Sequence, residues 1–557
     1  MAFPWRVVAT ISLISTYFIT SRRPPWSITQ FLSTFVATWI LQSFFVGIWN
    51  IFLYPFYFSP LRHLPGPKGG SWINGQFKEV REKPTGIPMR EWATNIPNDG
   101  LIRYRFIFNT ERLLVTGPKA LADLLVARSY DFQKPSNVRF GLSRLLGVGI
   151  LLAEGDEHKF QRRNLLPAFA FRHIKELYPS FWQKGRECVQ AMTKSIIADA
   201  QKETSIADPE KAKKTGVLDV SVWASRVTLD IIGASGLGRD FGAIHDPENE
   251  LNQTYRSVFK SSRQGQILSL MALFVPEWIL SKLPLQRNTN VYAASRKIRG
   301  ICRDLIREKK EKLARNELKE RDILSVALES GGFTEENLVD QLMTFLAAGH
   351  ETTATAMTWG IYMLAKYPDI QNRLRAEIRE NLPPIDSDRE VTSLDIDHLP
   401  YLNAVCNEVL RYYSPVPLTI REAAVDTVLA GQKVPKGTVI VISPWATNFD
   451  KGMWGPDAHE FNPERWMPKG PDDKRAASGG ATSNYAFLSF LHGPRSCIGL
   501  SFAKAEFACL LGSWVGRFEF SLKNKEEEDE RNIEIRGGIT ARPVKGMQVY
   551  ATIVDGW

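Results

Sequence analysis

Two apolar blocks at the start of the chain stand apart from everything after them. Val7–Thr20 (VVATISLISTYFIT) carries no charge over 14 residues, and after SRRPPW the stretch Phe31–Tyr54 carries none over 24. A helix needs about 20 apolar residues to cross a bilayer, so the second block predicts a membrane span with residues 31–54 its best extent. The first block is too short to decide between a second span, an interfacial helix and a signal-like segment. No small-residue cleavage site stands before the second block, which predicts a retained anchor over residues 1–58. Arg62, His63 and Lys68 follow that anchor and put the downstream side in the cytosol by the positive-inside rule, with Arg22 and Arg23 competing for the same side. LPGP at Leu64–Pro67 then forms a stiff, non-helical turn.

From residue 59 to 557 the pattern becomes helical, with short strands between helices. Arg103–Thr116 alternates and predicts a hairpin, and Glu157–Cys188 reads as helices. Phe333–Lys366 is a long helical stretch in which Thr334 is the N-cap ahead of Glu336 and Asn337. Tyr401–Tyr413 is another helix, stopped by SPVP, and Thr427–Ser443 is strand-like with turns at AGQ and PKG. Ala198–Thr215 reads as an exposed connection and the Gly-rich Met467–Asn484 as a surface loop. No internal repeat and no interdomain linker is present. The fold class is therefore mainly α with small β-sheets, as one large domain over residues 59–557 after the anchor.

Composition changes this picture little. With 44% hydrophobic and 23% charged residues, disordered and fibrous classes are excluded. The net charge of +10 is scattered along the chain, which argues against nucleic acid and suits a membrane surface or an acidic protein partner. Cys188, Cys302, Cys406, Cys497 and Cys509 are far apart and form no CxxC pair, so neither a disulfide framework nor a structural zinc site is predicted.

One cysteine differs from the others in its surroundings. Phe490, Gly493, Arg495, Cys497 and Gly499 follow F-x-x-G-x-R-x-C-x-G just before a helix that starts near Leu500. Glycines let backbone pass close under a flat group, and backbone N–H groups with a helix N-terminus favour thiolate over thiol. This segment resembles the haem-ligand loop of cytochrome P450 enzymes, and three further segments resemble that family in the expected order. In AAGHETT (Ala347–Thr353), Glu351 and Thr352 resemble an acid–alcohol pair that steers protons, with Gly349 leaving room for dioxygen. Glu408 and Arg411 of EVLR, with Arg465 of PERW, resemble a buried structural ion network. His158 and Arg162 resemble helix positions that contact haem propionates, with His in place of the commoner Trp; a surface pair is the alternative. Arg421 in PLTIREAAVD matches another propionate-contacting position.

The resemblance runs from about Leu61 to the end. It implies the cytochrome P450 fold and a haem b group whose iron takes Cys497 as axial ligand, with Arg495, His158, Arg162, Arg421, Phe490, Gly493 and Gly499 around it. It implies a monooxygenase that inserts one oxygen atom from O2 into a lipophilic small molecule. Electrons from NADPH would arrive through NADPH-cytochrome P450 reductase, with cytochrome b5 a second candidate donor, because the chain has no nucleotide-binding glycine motif of its own. Lys504 and Arg495 suit an acidic docking partner. The implied location is the endoplasmic reticulum membrane with a cytosolic catalytic domain, and the implied role is fungal secondary metabolism on a terpenoid or polyketide skeleton. Pocket walls are expected at Gln341, Phe345, Val416–Ile420 and Gly538–Thr540. A haem-thiolate isomerase or dehydratase without external electrons, and a non-enzymatic haem-binding membrane protein, are the alternatives; the Glu351–Thr352 pair argues against the isomerase.

Overall fold

Where the sequence alternates, the chain forms strands. Leu101–Arg105 and Glu111–Val115 pair antiparallel, with Leu101 opposite Val115 and Arg105 opposite Glu111. The turn joining them carries Phe108 and Asn109 at φ 53° and 54°, a left-handed conformation that side chains adopt only under local constraint. The computed structural model describes residues 5–22, 25, 27–200, 209–259, 263–272, 275–317, 322–470, 472–537 and 539–557. Arg23, Gly538 and the middle of the expected 198–215 connection lie outside the described residues.

The chain forms two units. The first gathers Met1–Lys83, Ile87–Gln133 and Thr419–Ser443. Its centre is a five-stranded sheet in the order Leu101–Arg105, Glu111–Val115, Val439–Ile442, Thr419–Ala423, Phe132–Gln133. Glu111–Val115 and Val439–Ile442 run parallel, and the other neighbours antiparallel. The apolar LLV and VIV segments sit in these middle strands, where Leu113, Leu114, Val115, Ile440, Val441 and Ile442 are fully enclosed. Thr427–Leu429 and Gln432–Val434 make a small hairpin around Ala430 and Gly431, both at positive φ, as the AGQ turn predicts. The apolar blocks form the helices Trp5–Ser21 and Ile28–Ile48, the second continued without a break by the π-helical turn Trp49–Phe58.

The second unit comprises Pro84–Gly86, Lys134–Leu418 and Pro444–Trp557. Its axis is the helix Glu335–Lys366, capped by Thr334, whose hydroxyl accepts from the Asn337 N–H at 3.3 Å. From Leu338 to Leu364 this helix is apolar on nearly every side, which is why it is buried on nearly every side. The helix Leu500–Arg517 behaves in the same way and packs on it. A Cβ on Gly360 would meet the Phe507 ring at 3.3 Å, so the glycine sets how closely the two helices approach. A three-stranded antiparallel sheet places Gln548–Ile553 between Thr215–Asp219 and Phe518–Leu522. Met467–Asn484 is less purely a loop than its composition suggests. It contains the short helix Arg475–Ser478, and Gly479 at φ 60° lies against Trp454 and Trp466.

Candidate active site

The segment around Cys497 folds as a closed loop on a rigid base. Leu491 and Gly493 both take positive φ, 55° and 73°, and turn the chain sharply after Phe490. A single 3-10 turn, Gly493–Arg495, follows. The Cys497 N–H donates to the Phe490 carbonyl at 2.8 Å and closes the loop, and the Ala503 N–H donates to the Gly499 carbonyl at 2.8 Å as the helix Leu500–Arg517 begins. Leu491 is the strained member, since a branched side chain at positive φ costs energy that the surrounding bonds must repay.

Cys497 is exposed, whereas Cys188, Cys302, Cys406 and Cys509 are buried. Burial pushes the thiol of Cys302 up to about 12 and raises the other three further still. Cys497 also sits among dense protein, which raises its thiol, but the Gly499 N–H and the charge of Arg162 both pull it down. Its sulfur thus combines an open face with two local features that favour thiolate.

The base under the loop is an ion network. Arg411 donates from Nε and Nη2 to the two carboxylate oxygens of Glu408, both at 2.8 Å, and neither side chain has any exposure. Arg465 Nε and Trp466 Nε1 donate to the same carboxylate at 3.2 and 2.9 Å. The remaining Arg411 donors go to the carbonyls of Asn448, Ala458 and Glu460. Asn448 carries the connection onward: its side chain accepts from Leu488 N–H at 2.8 Å and donates to Ser489 Oγ at 3.0 Å, just ahead of Phe490.

Three of the expected cationic positions surround the loop or its neighbours. Arg162 donates to the Ser496 carbonyl at 2.7 Å and to Ser496 Oγ at 3.2 Å, so it grips the residue before Cys497. His158 is buried one turn earlier on the same helix, Gly155–Leu165. Arg495 is almost wholly enclosed and paired with Glu154, a residue the motif spacing did not single out. Arg421 is placed differently: it is buried in the first unit, on the strand Thr419–Ala423, and donates to Thr419 Oγ1 at 3.1 Å and the Ile420 carbonyl at 2.9 Å.

On the helix Glu335–Lys366, Glu351 and Thr352 have different partners. The Thr352 hydroxyl donates to the Ala348 carbonyl at 2.7 Å and keeps an accessible side. Glu351 is buried, and its Oε1 accepts from Thr540 Oγ1 at 3.0 Å and from Arg542 Nη1 at 2.9 Å. The strand Ala541–Pro543 is pinned to the same helix, because Trp359 Nε1 donates to the Ala541 carbonyl at 2.8 Å and Trp359 stacks on Tyr413 at 3.9 Å. Thr540 was expected only as a pocket wall and Arg542 was missed; their alternation, which puts both on one face of an extended segment, was the signal available for their joint hold on Glu351.

One expectation changes and another gains a second aspect. A Cβ on Gly349 would meet the Ile232 side chain at 2.9 Å, so this glycine also lets the helix approach Ile232–Leu237. Gln341, expected as a pocket wall, is fully buried with its amide engaged at both ends: Oε1 accepts from Ile150 N–H and Nε2 donates to Gln161, each at 2.8 Å. Phe345 sits with its ring 5.5 Å from that of Phe169, in an edge-on contact.

The donor set suits a thiolate-ligated, anionic macrocycle. An accessible sulfur is presented on a loop with a backbone N–H beside it, and two guanidinium groups hold positions on that loop. Among the described residues no group of three or more His, Cys, Asp or Glu side chains could hold a metal ion.

Residues 65–548 match the family model described as Cytochrome P450. Among curated proteins the chain is 49% identical to cytochrome P450 monooxygenase sphH of Aspergillus fumigatus, over 92% of this chain and 91% of that protein. It is 44% identical to cytochrome P450 monooxygenase ALT8 of Alternaria alternata, over 92% of each chain. It is also 44% identical to cytochrome P450 monooxygenase FUM15 of Gibberella moniliformis, over 90% of each.

Proposed function

Because the chain belongs to the cytochrome P450 family, we propose that Cys497 is the axial ligand of its haem iron and that Thr352 and Glu351 handle the protons its reaction consumes. The family activity is monooxygenation by haem-thiolate iron, an oxidoreductase chemistry that draws on a redox partner and acts on lipophilic substrates. Haem, when bound, supplies the activation of dioxygen and the transfer of one oxygen atom to the substrate. The rest falls to side chains of this protein.

The observation that carries the assignment is the closed Phe490–Cys497 loop with its accessible sulfur. Gly499 N–H and Arg162 stabilise negative charge on that sulfur, and Arg162 keeps Ser496 in place. Arg495, His158, Arg162 and Arg421 are the proposed propionate partners, Arg495 while it also answers Glu154 and Arg162 while it also holds Ser496. Phe490, Gly493 and Gly499 shape the loop. Thr352 Oγ1 holds and passes a proton, and Glu351 exchanges protons with solvent from a carboxylate oriented by Thr540 and Arg542. Gly349 leaves room for dioxygen, in addition to packing against Ile232.

The proposal extends to organisation and setting. Residues 1–58 anchor the protein in the endoplasmic reticulum membrane and residues 59–557 form the cytosolic monooxygenase domain. NADPH electrons enter through NADPH-cytochrome P450 reductase, with cytochrome b5 as an accessory donor. The substrate belongs to fungal secondary metabolism, a reading to which the related monooxygenases add only their source organisms, Aspergillus fumigatus, Alternaria alternata and Gibberella moniliformis. The test is the difference spectrum of the reduced, CO-bound protein. The thiolate-type maximum is expected for the native chain and its loss for Cys497→Ala; a native protein that is folded and haem-loaded but lacks the maximum overturns the ligand assignment. Shifts of the haem Soret band on titration with candidate lipophilic molecules then identify the substrate.

A further inference from the structure

We infer that Trp5–Ser21 and Ile28–Phe58 form a hairpin that crosses the bilayer twice. The inference rests on the membrane anchor proposed above and goes beyond it, because the first helix becomes a span and the connection between the helices comes to lie on the far face.

The pair is inverted with respect to a water-soluble helix pair. The first helix buries Val8, Ser12, Thr16 and Thr20, a stripe at four-residue spacing that is mostly hydroxyl-bearing. Its partner meets that stripe with polar atoms: Ser12 Oγ donates to Gln42 Oε1 at 3.0 Å, Gln42 Nε2 donates to Ser15 Oγ at 3.3 Å, and Thr16 and Thr38 share a hydrogen bond at 3.1 Å. The outer surface is hydrocarbon and aromatic, with Tyr17, Phe18, Ile40 and Phe44 each more than half exposed. In water such a pair buries hydroxyls and exposes apolar side chains, the reverse of what solvation favours. In lipid the same arrangement is the favourable one, since small and hydroxyl-bearing residues associate helices where apolar surface costs nothing.

Register settles the direction of the first helix. Ser12 and Thr16 are four residues apart, and so are their partners Gln42 and Thr38 in reverse order, so the helices lie antiparallel over at least a full turn. Trp5 stacks on Trp39 at 5.7 Å, a further contact between them. Among the described residues, Ile28–Phe58 is the helix that is long and apolar enough to cross a membrane. A helix packed antiparallel along it shares its tilt and depth. At 1.5 Å per residue the 17 residues of Trp5–Ser21 reach about 25 Å, close to the roughly 27 Å hydrocarbon core of an endoplasmic reticulum bilayer. Arg6 and Arg22 stand at its two ends, where long side chains reach the interface. Arg6, Arg62 and Lys68 then share the cytosolic side against Arg22 and Arg23 on the other, which agrees with the positive-inside rule.

The test uses the full chain made with endoplasmic reticulum microsomes. An Asn-Gly-Thr acceptor on a flexible linker is inserted between Arg22 and Ser27 in one variant, and ahead of Trp5 in another. The hairpin predicts one glycan on the first variant, removed by endoglycosidase, and none on the second. A glycan on the second variant, whether or not the first carries one, puts the N-terminus in the lumen, as a single span by Ile28–Phe58 does with a glycan on both, and overturns the inference. No glycan on either, in protein that resists carbonate extraction, means a re-entrant loop and overturns it too. Protein released by carbonate removes the anchor itself, which separates failure of the underlying proposal from failure of the hairpin.

Discussion

Glu351 and Thr352 are neighbours in sequence, but on a helix consecutive side chains diverge by about 100°. One is therefore held in the interior by Thr540 and Arg542 while the other keeps an accessible hydroxyl. The buried carboxylate needs its cation, since a charge-assisted hydrogen bond is worth about 1.5–3 kcal/mol. Arg542→Gln is expected to lower product formed per NADPH by about tenfold or more, the rate equivalent of that energy, with Arg542→Lys recovering part of it. Thr352→Ala is expected to keep the CO difference spectrum and consume NADPH without matching product. Parallel measurement of NADPH, product and hydrogen peroxide checks both variants, and unchanged coupling in either removes that residue from proton handling.

At the scale of elements, two helices carry charge into the interior in opposite ways. The helix Pro400–Tyr412 places Glu408 and Arg411 one turn apart, and every donor and acceptor in the group finds a partner. Removing one member leaves an uncompensated buried charge. Glu408→Ala or Arg411→Ala should cost about 3–5 kcal/mol, visible in urea titration, and should reduce haem retention because Asn448 ties this network to the loop before Cys497. Glu506, on the helix Leu500–Arg517, is fully enclosed, and neither of its carboxyl oxygens makes a hydrogen bond. Burial pushes its carboxyl well above the ordinary 4.5. The folded state therefore holds a proton that the unfolded chain releases. This contribution to stability is fully present below the unfolded value and is lost as pH rises toward the folded one. Glu506→Gln should gain on the native protein in urea titrations as pH rises from acidic to alkaline; parallel pH profiles for the two would mean that Glu506 is ionised in the fold.

At the scale of the whole molecule, the π-helical turn Trp49–Phe58 that ends the N-terminal apolar helix is bonded to the sheet of the first unit as well as joined to it. Arg103 Nη2 donates to the Pro55 carbonyl at 2.6 Å and Asn109 Nδ2 to the Ile51 carbonyl at 3.0 Å. Truncation through Phe58 removes both acceptors, whereas truncation at Ile48 keeps them. The longer protein is expected to be more stable by about 1–3 kcal/mol per buried donor left unsatisfied, measured on the two truncated proteins in the same detergent.

Much of this was legible in the chain before it folded. The haem-loop spacing, the long helix with its Thr334 cap, the 103–116 hairpin and the apolar anchor are all local patterns, set by steric and solvation rules that act over a few residues. Partners far apart in sequence were not legible. Glu154 meets Arg495 across 341 positions and Glu351 meets Thr540 across 189, and no local rule links them. The same holds for the Ile232 side chain that packs against Gly349, and for the hydroxyl-bearing seam between the helices Trp5–Ser21 and Ile28–Ile48. The sequence by itself determined the family and the order of the motifs, because these depend on residue type and spacing. Only the tertiary structure decided which charges answer one another and which faces touch, because close packing and the need to satisfy every buried polar group are conditions on the whole chain at once.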